Sequence, residues 1–260
     1  MTWRVDREIA VLLGSGARAL LLQIAHPKVA AAVADHSRYQ SDPLGRLRDT
    51  LDAIYGFAFE DARQVEHIVQ HINGLHRRVS GFTPDGQPYA ALDPHLLLWV
   101  YATLIDSSLL SYETFVARLE PAERELYYAE FRRAGPIWGI PPEHFPAGLD
   151  QLRGWMADMI DSGEVHITPQ GRQVGQYILE PPVWWLPAPL SIPLRLVTVW
   201  LLPPPLRDGF GFAWGPRRDK LMQRLAAGSR AIVPRVPHIV RDLPQARSAD
   251  RRVRRRAEGA

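Results

Sequence analysis

The residues of this chain best suited to chemistry are its nine histidines, because the sequence contains no cysteine. The most informative of them lie in residues 61–79, where apolar side chains recur every third or fourth position, the spacing of an amphipathic helix. At about 100° per residue, His76 lies within about 40° of the centre of the apolar stripe, whereas His67 and His71 lie on the opposite, polar face. We therefore expect His76 to point into the core.

Two interpretations of His76 stay open at this point. A lone histidine on an apolar face is commonly a hydrogen-bonded core residue. The absence of cysteine, however, excludes thiolate ligation and covalent haem attachment, and leaves a neutral imidazole as the natural axial ligand for haem iron. His67 and His71 have the spacing of a chelating pair, but the segment E-H-I-V-Q-H lacks the glutamate that a zinc peptidase needs, so we interpret them as solvated.

Four further residues are candidates for binding or catalysis. Arg46 and Thr50 stand four apart at the edge of a helical stripe, where they suit either a bound carboxylate, such as a haem propionate, or a salt bridge within the fold. His26 precedes a proline and therefore stands at a helix break. His36 lies in the segment D-H-S, and either histidine is suited to lining a cavity or to closing a hydrogen-bond network.

The elements that position these residues are helical nearly throughout, and we predict an all-α, bundle-like fold in one domain, residues 1–246. We expect a helix break at Gly14-Ser15-Gly16 and a helix cap at Ser41 or Asp42. Residues 81–88 are predicted to form a turn-rich loop, without a convincing strand pair anywhere in the chain. A long central helix is predicted from Pro94 to about Leu119.

The segment 181–216 differs from the rest because it contains nine prolines and four of the eight tryptophans. This proline density argues against long regular helices there. We interpret the segment as an aromatic wrap over the helical core, with an interfacial patch or the wall of an apolar substrate channel as the functional alternative.

The positive charge is concentrated at the C-terminus. Residues 247–260 hold six arginines against Asp250 and Glu258, so the remaining 246 residues sum to −1. We predict a disordered basic tail. No aromatic residues interleave it, which argues against nucleic-acid binding, and attraction to an anionic membrane surface is the better functional alternative. No secretory signal is visible, so we expect a cytoplasmic protein, with peripheral membrane contact as an option.

Several long blocks of the sequence resemble a known enzyme family. Their order is RALLLQIAHPKVAAAVADHSRYQSDPLGRLRDT, GLHRRVSG, PDGQPYAALDPHLLLWVYATLIDS, AERELYYAEF and LLPPPLRDGFGFAWGPRRD, spread over roughly residues 8–220. In these blocks the chain resembles the MpaB-type oxygenases and latex-clearing proteins. No nucleophile elbow, P-loop or dinucleotide fingerprint competes with this resemblance.

The resemblance implies an all-helical domain with a globin-like core around non-covalent haem b. It implies that His76, in the GLHRRV block, is the axial ligand of the haem iron, and that Arg46 and Thr50, in the RLRDT block, support the haem. The implied activity is oxidative cleavage, by O2, of a carbon–carbon double bond in an isoprenoid or other unsaturated lipid.

Two departures from the family's pattern limit what the resemblance implies. Rubber-cleaving members carry a lysine where this chain has Asp49, which favours a small prenyl or lipid substrate over a polymer. Relatives often read WVHATL where this chain reads WVYATL, so Tyr101 joins His26 and His36 as a candidate distal or catalytic residue.

Two other classes of function are alternatives to the oxygenase. One is a haem- or lipid-binding protein without turnover, attached to a membrane through residues 181–216 and the basic tail. The other is a non-haem metal enzyme that uses His26, His36, His67 or His71.

Overall fold

The computed structural model describes residues 1–180 and 188–258, with side chains described from residue 191 onward in the second range. Within these residues the chain forms fourteen α-helices and one two-stranded sheet, which confirms the predicted all-α fold. The helices are α1 Thr2–Asp6, α2 Ile9–Ala25, α3 Pro27–His36, α4 Pro43–Phe59, α5 Ala62–His76, α6 Pro94–Phe115, α7 Pro121–Ala134, α8 Leu149–Asp161, α9 Pro169–Leu179, α10 Ala188–Leu201, α11 Pro204–Gly209, α12 Pro216–Ile232, α13 His238–Arg241 and α14 Pro244–Glu258. A globin-like arrangement of the core stays a prediction.

The core is organised around α6, which packs along α2 and is buried over most of its length. The predicted break at Gly14-Ser15-Gly16 is wrong, because α2 runs unbroken through these residues. A Cβ atom at Gly14 would lie 2.8 Å from Ser111 Oγ and 2.9 Å from the Phe115 ring. Gly14 therefore serves the close approach of α2 to α6 rather than a turn.

A buried ion pair ties four helices together at the centre of the core. Arg18 of α2 is 4% exposed and donates to the Leu201 carbonyl of α10 (2.7 Å), to Ser107 Oγ (2.6 Å) and to Asp106 Oδ2 (2.8 Å) of α6. Arg153 of α8 donates to the other oxygen of Asp106 at 3.2 Å. Burial raises the pKa of Asp106, but the two guanidinium groups outweigh it and hold that pKa below its usual value.

A short hairpin follows α5 where only a loop is predicted. Strands β1 Ser80–Phe82 and β2 Pro88–Ala90 pair antiparallel, with Gly81 opposite Tyr89. Gly86 makes the turn with a φ of 84°. Three-residue strands are too short to produce a recognisable alternation in a sequence, which explains why no strand pair is visible there.

The proline-rich segment contains a longer helix than predicted. Helix α10 has 14 residues and includes Pro193, so the exclusion of long regular helices is wrong for residues 188–201. Pro193 removes one backbone hydrogen bond near the start of the helix, and burial of Val199 and Leu202 against the core supports the remaining turns. Residues 181–187 of the proposed wrap lie outside the described residues.

The basic tail is also ordered through Glu258, which corrects the predicted disorder from residue 247. Helix α14 buries Ala246 and Ala249 in a cluster with Tyr55 and Phe59 of α4. Arg252 of α14 forms a salt bridge with Glu60, just beyond α4, at 3.1 Å, and donates a hydrogen bond to the carbonyl of Phe59, the last residue of α4. An alanine stripe inside a run of arginines is a weak pattern, so the sequence shows mainly the charge.

Among the described residues no single helix is long and apolar enough to cross a membrane, although α2 and α3, bent by 103°, meet that criterion jointly.

Asp6, near the N-terminus, is a buried acid. Its carboxylate accepts a hydrogen bond from Tyr127 Oη at 2.9 Å, and the side chain is 8% exposed. Burial raises the pKa of Asp6 to about 7, against the opposing effect of hydrogen bonds from Tyr127 and Ser108. At pH values where the Asp6 carboxyl is ionised, it therefore destabilises the folded state.

Replacing Arg18 tests the central ion pair. Arg18→Met should lower the free energy of unfolding by about 3–5 kcal/mol, because it leaves the Asp106 carboxylate buried with only one partner. Denaturant unfolding at neutral pH measures the change. Arg4→Met, which breaks an exposed pair with Glu123, is the control and should cost no more than about 1 kcal/mol. Equal effects of the two variants would contradict the assignment.

The Asp6 carboxyl should make stability depend on pH. Its pKa is 3.8 when unfolded and about 7 when folded, so the native state loses stability as pH rises from the first value through the second. Asp6→Asn keeps an acceptor for Tyr127 but does not ionise. The variant should therefore gain stability relative to the wild type as pH rises from about 4 to about 7, with little further change above that, measured by thermal unfolding. Parallel stability curves for the two proteins would refute the raised pKa.

Candidate functional site

Helices α4 and α5 pack against each other and carry three of the predicted site residues. Each helix begins at an aspartate: Asp42 accepts from the Gly45 N–H at 2.9 Å, and Asp61 accepts from the Gln64 N–H at 3.2 Å. The first of these is one of the two caps predicted from the sequence. The caps fix where the helices start, and thereby the register of Arg46, Thr50 and His76.

His76, in the last turn of α5, is partly buried, and its Nδ1 atom is buried without a hydrogen-bond partner among the described residues. Burial lowers the pKa of His76, and the nearby positive charge of Arg46 lowers it further. The imidazole is therefore neutral at neutral pH. An unpaired buried nitrogen costs about 1–3 kcal/mol, so the position favours a partner that the polypeptide does not supply.

Arg46 is held in place by hydrogen bonds at the edge of the α4 stripe. Its Nε donates to Ser37 Oγ at 3.2 Å and its Nη1 donates to Thr50 Oγ1. Thr50 in turn donates to the Arg46 carbonyl at 2.7 Å. No salt bridge joins Arg46 to an acidic residue within the described part of the chain, so its charge is available to an outside anion. Ser37 was not singled out from the sequence.

Asp49, the residue that departs from the rubber-cleaving pattern, lies on the solvent side. It is 58% exposed and pairs with Arg38 at 2.6 Å. Its carboxylate is therefore engaged at the surface, next to the Arg46–Thr50 pair but not part of it.

The apolar stripe of the α4–α5 pair is left open at one end. Leu44 and Leu47 of α4 are 43% and 46% exposed, and Leu75 beside His76 is 52% exposed. The other end of α4 is covered, since Tyr55 and Phe59 are buried under α14. Leucines that belong to a helical stripe but stay in solvent are expected where an apolar ligand covers them.

Two more buried polar atoms near this stripe lack partners within the described residues. They are Asn73 Oδ1, one turn before His76, and Trp138 Nε1. The Trp138 ring packs on Phe57 of α4 with centroids 5.0 Å apart, and its short 3-10 turn contacts α5. Neither residue can be singled out from the sequence, because the burial of its polar atom depends on the tertiary structure.

The opposite face of α5 agrees with the helical-wheel prediction. His67 and His71 are exposed, as expected for solvated side chains. Throughout the described residues, no group of three or more histidines and carboxylates is placed to hold a metal ion. A haem needs only one axial side chain, since its ring nitrogens supply the other ligands.

His26 has a structural task in this fold. It is 3% exposed, and its Nδ1 accepts a hydrogen bond from the Lys28 N–H at 3.2 Å, which caps α3. Burial lowers the pKa of His26 to about 4, despite Glu164 lying 3.7 Å from Nε2. The imidazole is therefore neutral and serves as an N-cap.

His36 and Tyr101 lie in different surroundings. His36 Nε2 lies 3.2 Å from Tyr89 Oη and 3.3 Å from the Ser80 carbonyl, next to Ser37 of the Arg46 network. Tyr101 contacts α7, where its hydroxyl donates a hydrogen bond to the Phe131 carbonyl at 2.9 Å. Burial raises the pKa of Tyr101. Of the three predicted distal candidates, only His36 adjoins the Arg46 network.

Comparison with known protein families identified a match. A family model described as ER-bound oxygenase mpaB/B'/Rubber oxygenase, catalytic domain, matches residues 3–231. No curated protein and no solved structure matched.

The capping role of His26 can be tested by stability alone. His26→Ala should lower the free energy of unfolding by about 1 kcal/mol, because the Lys28 N–H loses its acceptor. His26→Asn supplies a side-chain oxygen at the same position and should recover part of that loss. Chemical denaturation of the two variants provides the measurement, and an asparagine variant no more stable than the alanine variant would count against the cap.

Proposed function

Because the chain belongs to the mpaB/rubber oxygenase catalytic-domain family, we propose that it is a haem b-dependent oxygenase acting on an unsaturated isoprenoid or lipid. Membership of the family makes O2 and an organic substrate its reactants. It also favours an enzyme over a binding protein without turnover. The cofactor and the class of substrate are the parts that we propose.

The observation that carries the haem assignment is the state of His76. It combines a buried Nδ1 atom without a partner, a pKa lowered by burial, and a position in an apolar helical stripe. Ligation of iron requires a neutral imidazole, and these surroundings keep it neutral at physiological pH. The residues present therefore fit a haem with histidine ligation, and the cysteine-free sequence leaves no thiolate alternative.

The Arg46–Thr50 pair fits the polar edge of the same group. A guanidinium held by Ser37 and Thr50, without an acidic partner among the described residues, is suited to binding a propionate carboxylate. Bound there, haem b would supply the iron that binds and activates O2. The polypeptide would fix the orientation through Arg46 and Thr50 and keep the proximal imidazole neutral through burial.

The open leucines indicate an apolar substrate. Leu44, Leu47 and Leu75 lie on the two helices that carry Arg46 and His76, present hydrocarbon to solvent, and would exclude water if an apolar ligand covered them. In oxidative cleavage of this class, one carbon–carbon double bond and one O2 molecule become two carbonyl groups, so the reaction needs no external electron donor. Asp49, engaged with Arg38 at the surface, favours a small prenyl or lipid substrate over rubber.

We further propose a cytoplasmic location with peripheral membrane contact. A prenyl or lipid substrate partitions into bilayers, so an enzyme that acts on it benefits from working at the membrane surface.

The ultraviolet–visible spectrum tests the cofactor. Protein expressed with ample haem precursor should show a Soret band that shifts on adding dithionite and then CO, with about one haem b per chain by pyridine hemochrome. His76→Ala should purify with little haem, whereas His67→Ala and His71→Ala, on the exposed face of the same helix, should keep it. Arg46→Gln should retain haem more weakly.

Two outcomes would overturn the proposal. One is a His76→Ala protein with full haem content and an unchanged spectrum, which would exclude His76 as the ligand. The other is a colourless wild type that also fails to bind added hemin. For haem-loaded protein, O2 uptake with a series of prenyl lipids then tests the substrate class.

A further inference from the structure

Helix α12 carries apolar side chains on two sides. Met222 and Ala226 are buried and form its contact with the core. Leu221, Leu225 and Ile232 are 52%, 56% and 64% exposed. At about 100° per residue these three lie within about 40° of one another and about 100° away from the buried side. Scattered apolar residues are normal on a surface, but a second stripe along one helix calls for an explanation.

Exposed apolar side chains also follow α12 along the chain. Ile239 and Val240 of α13 are 71% and 62% exposed. Five of the exposed large apolar residues thus lie between residues 221 and 240. We call the exposed side chains of Leu221, Leu225, Ile232, Ile239 and Val240 the α12–α13 face.

The charge of the chain is divided sharply at the start of this region. Residues 216–260 hold 13 basic and four acidic residues, a net charge of +9, whereas residues 1–215 sum to −6. Arg217 and Arg224 lie on one side of the α12 stripe and Arg218 on the other. Within the described residues none of these three forms a salt bridge with an acidic side chain, and Arg218 donates only to the Ala213 carbonyl. Their charges are therefore free to attract an anionic partner.

We propose that the α12–α13 face docks on an anionic lipid membrane, with α12 lying in the plane of the interface. Apolar side chains flanked by arginines are what an interfacial helix needs, because the hydrocarbon enters the acyl boundary while the guanidinium groups bind headgroups. Nucleic acid would match the charge but would leave the aliphatic stripe in water. A symmetric contact between two copies would place the same positive face against itself.

The docking surface gives the membrane contact of the proposed function a location and a lipid class, and in this sense it rests on that function. It is independent of haem, because none of its residues belongs to α4 or α5. The two proposals can therefore fail separately.

Vesicle co-flotation of the full-length, purified protein tests the surface. Vesicles of phosphatidylcholine containing a quarter phosphatidylglycerol should bind the protein, pure phosphatidylcholine should bind it much less, and added salt should weaken binding. Leu221→Ser/Leu225→Ser should weaken binding roughly tenfold. Arg217→Gln/Arg218→Gln/Arg224→Gln should weaken it by about two orders of magnitude, since each arginine near an anionic surface contributes roughly fivefold.

The chain offers a matched control. Leu126 of α7 is 50% exposed but lies among Glu123, Glu125 and Glu130, so Leu126→Ser should leave vesicle binding unchanged. All these variants change exposed side chains, and circular dichroism checks that they fold. Haem content should also be the same in all of them.

Three results would overturn the docking surface. They are wild-type protein that binds neither kind of vesicle, binding that neither the leucine nor the arginine variant weakens, and a concentration-dependent dimer in light scattering that Leu221→Ser/Leu225→Ser abolishes. The last result would identify a second copy of the chain as the occupant. Haem-free protein that still binds anionic vesicles would separate this surface from the haem proposal.

Discussion

The Arg18–Asp106 ion pair is the interaction on which the rest of the fold depends. Arg18 reaches from α2 to α6 and to the last residue of α10, and Arg153 brings α8 to the same carboxylate. Burying two charges is costly, and this pair tolerates burial because each guanidinium nitrogen of Arg18 and each carboxylate oxygen of Asp106 has a hydrogen-bond partner. The ion pair therefore helps to specify one arrangement of α2, α8 and α10 around α6. The close approach at Gly14 depends on that same arrangement.

The candidate site lies on the less buried side of this core. Helix α5 has a single fully buried residue, Val69, and the first half of α4 exposes its leucines. A site for a large apolar ligand requires an uncovered apolar surface, because a helical stripe that is already buried by protein cannot contact the ligand. The ordered C-terminal helix compensates by covering Tyr55 and Phe59 at the other end of α4. Thus α4 is fixed at one end and open at the other.

The polar side chains of the candidate site, Arg46 and His76, are also only partly buried. Arg46 and His76 lie close enough for the charge of one to lower the pKa of the other, and both are partly removed from water. A neutral base beside a fixed cation suits a ligand that has a metal at its centre and carboxylates at its edge. Other histidines have partners elsewhere in the fold: His26 Nδ1 caps α3, and His95 Nε2 lies 2.7 Å from Glu164 Oε1. The neighbourhood of His36 and Ser37 is the part of the surroundings most directly connected to Arg46.

The sequence by itself determined the all-α fold, the orientation of His76 relative to His67 and His71, a helix cap at Ser41 or Asp42, and the family. Each of these depends on periodicity or on local residue type, which are properties of neighbours along the chain. The sequence did not determine that α2 continues through Gly14, that Pro193 lies inside a helix, or that the arginine-rich end folds back on α4. The burial of His26 as a cap and the direction of the Tyr101 hydroxyl likewise depended on the tertiary structure. These outcomes depend on which distant surface each segment meets, because burial and pairing with a remote partner outweigh the local preferences of glycine, proline and charged residues.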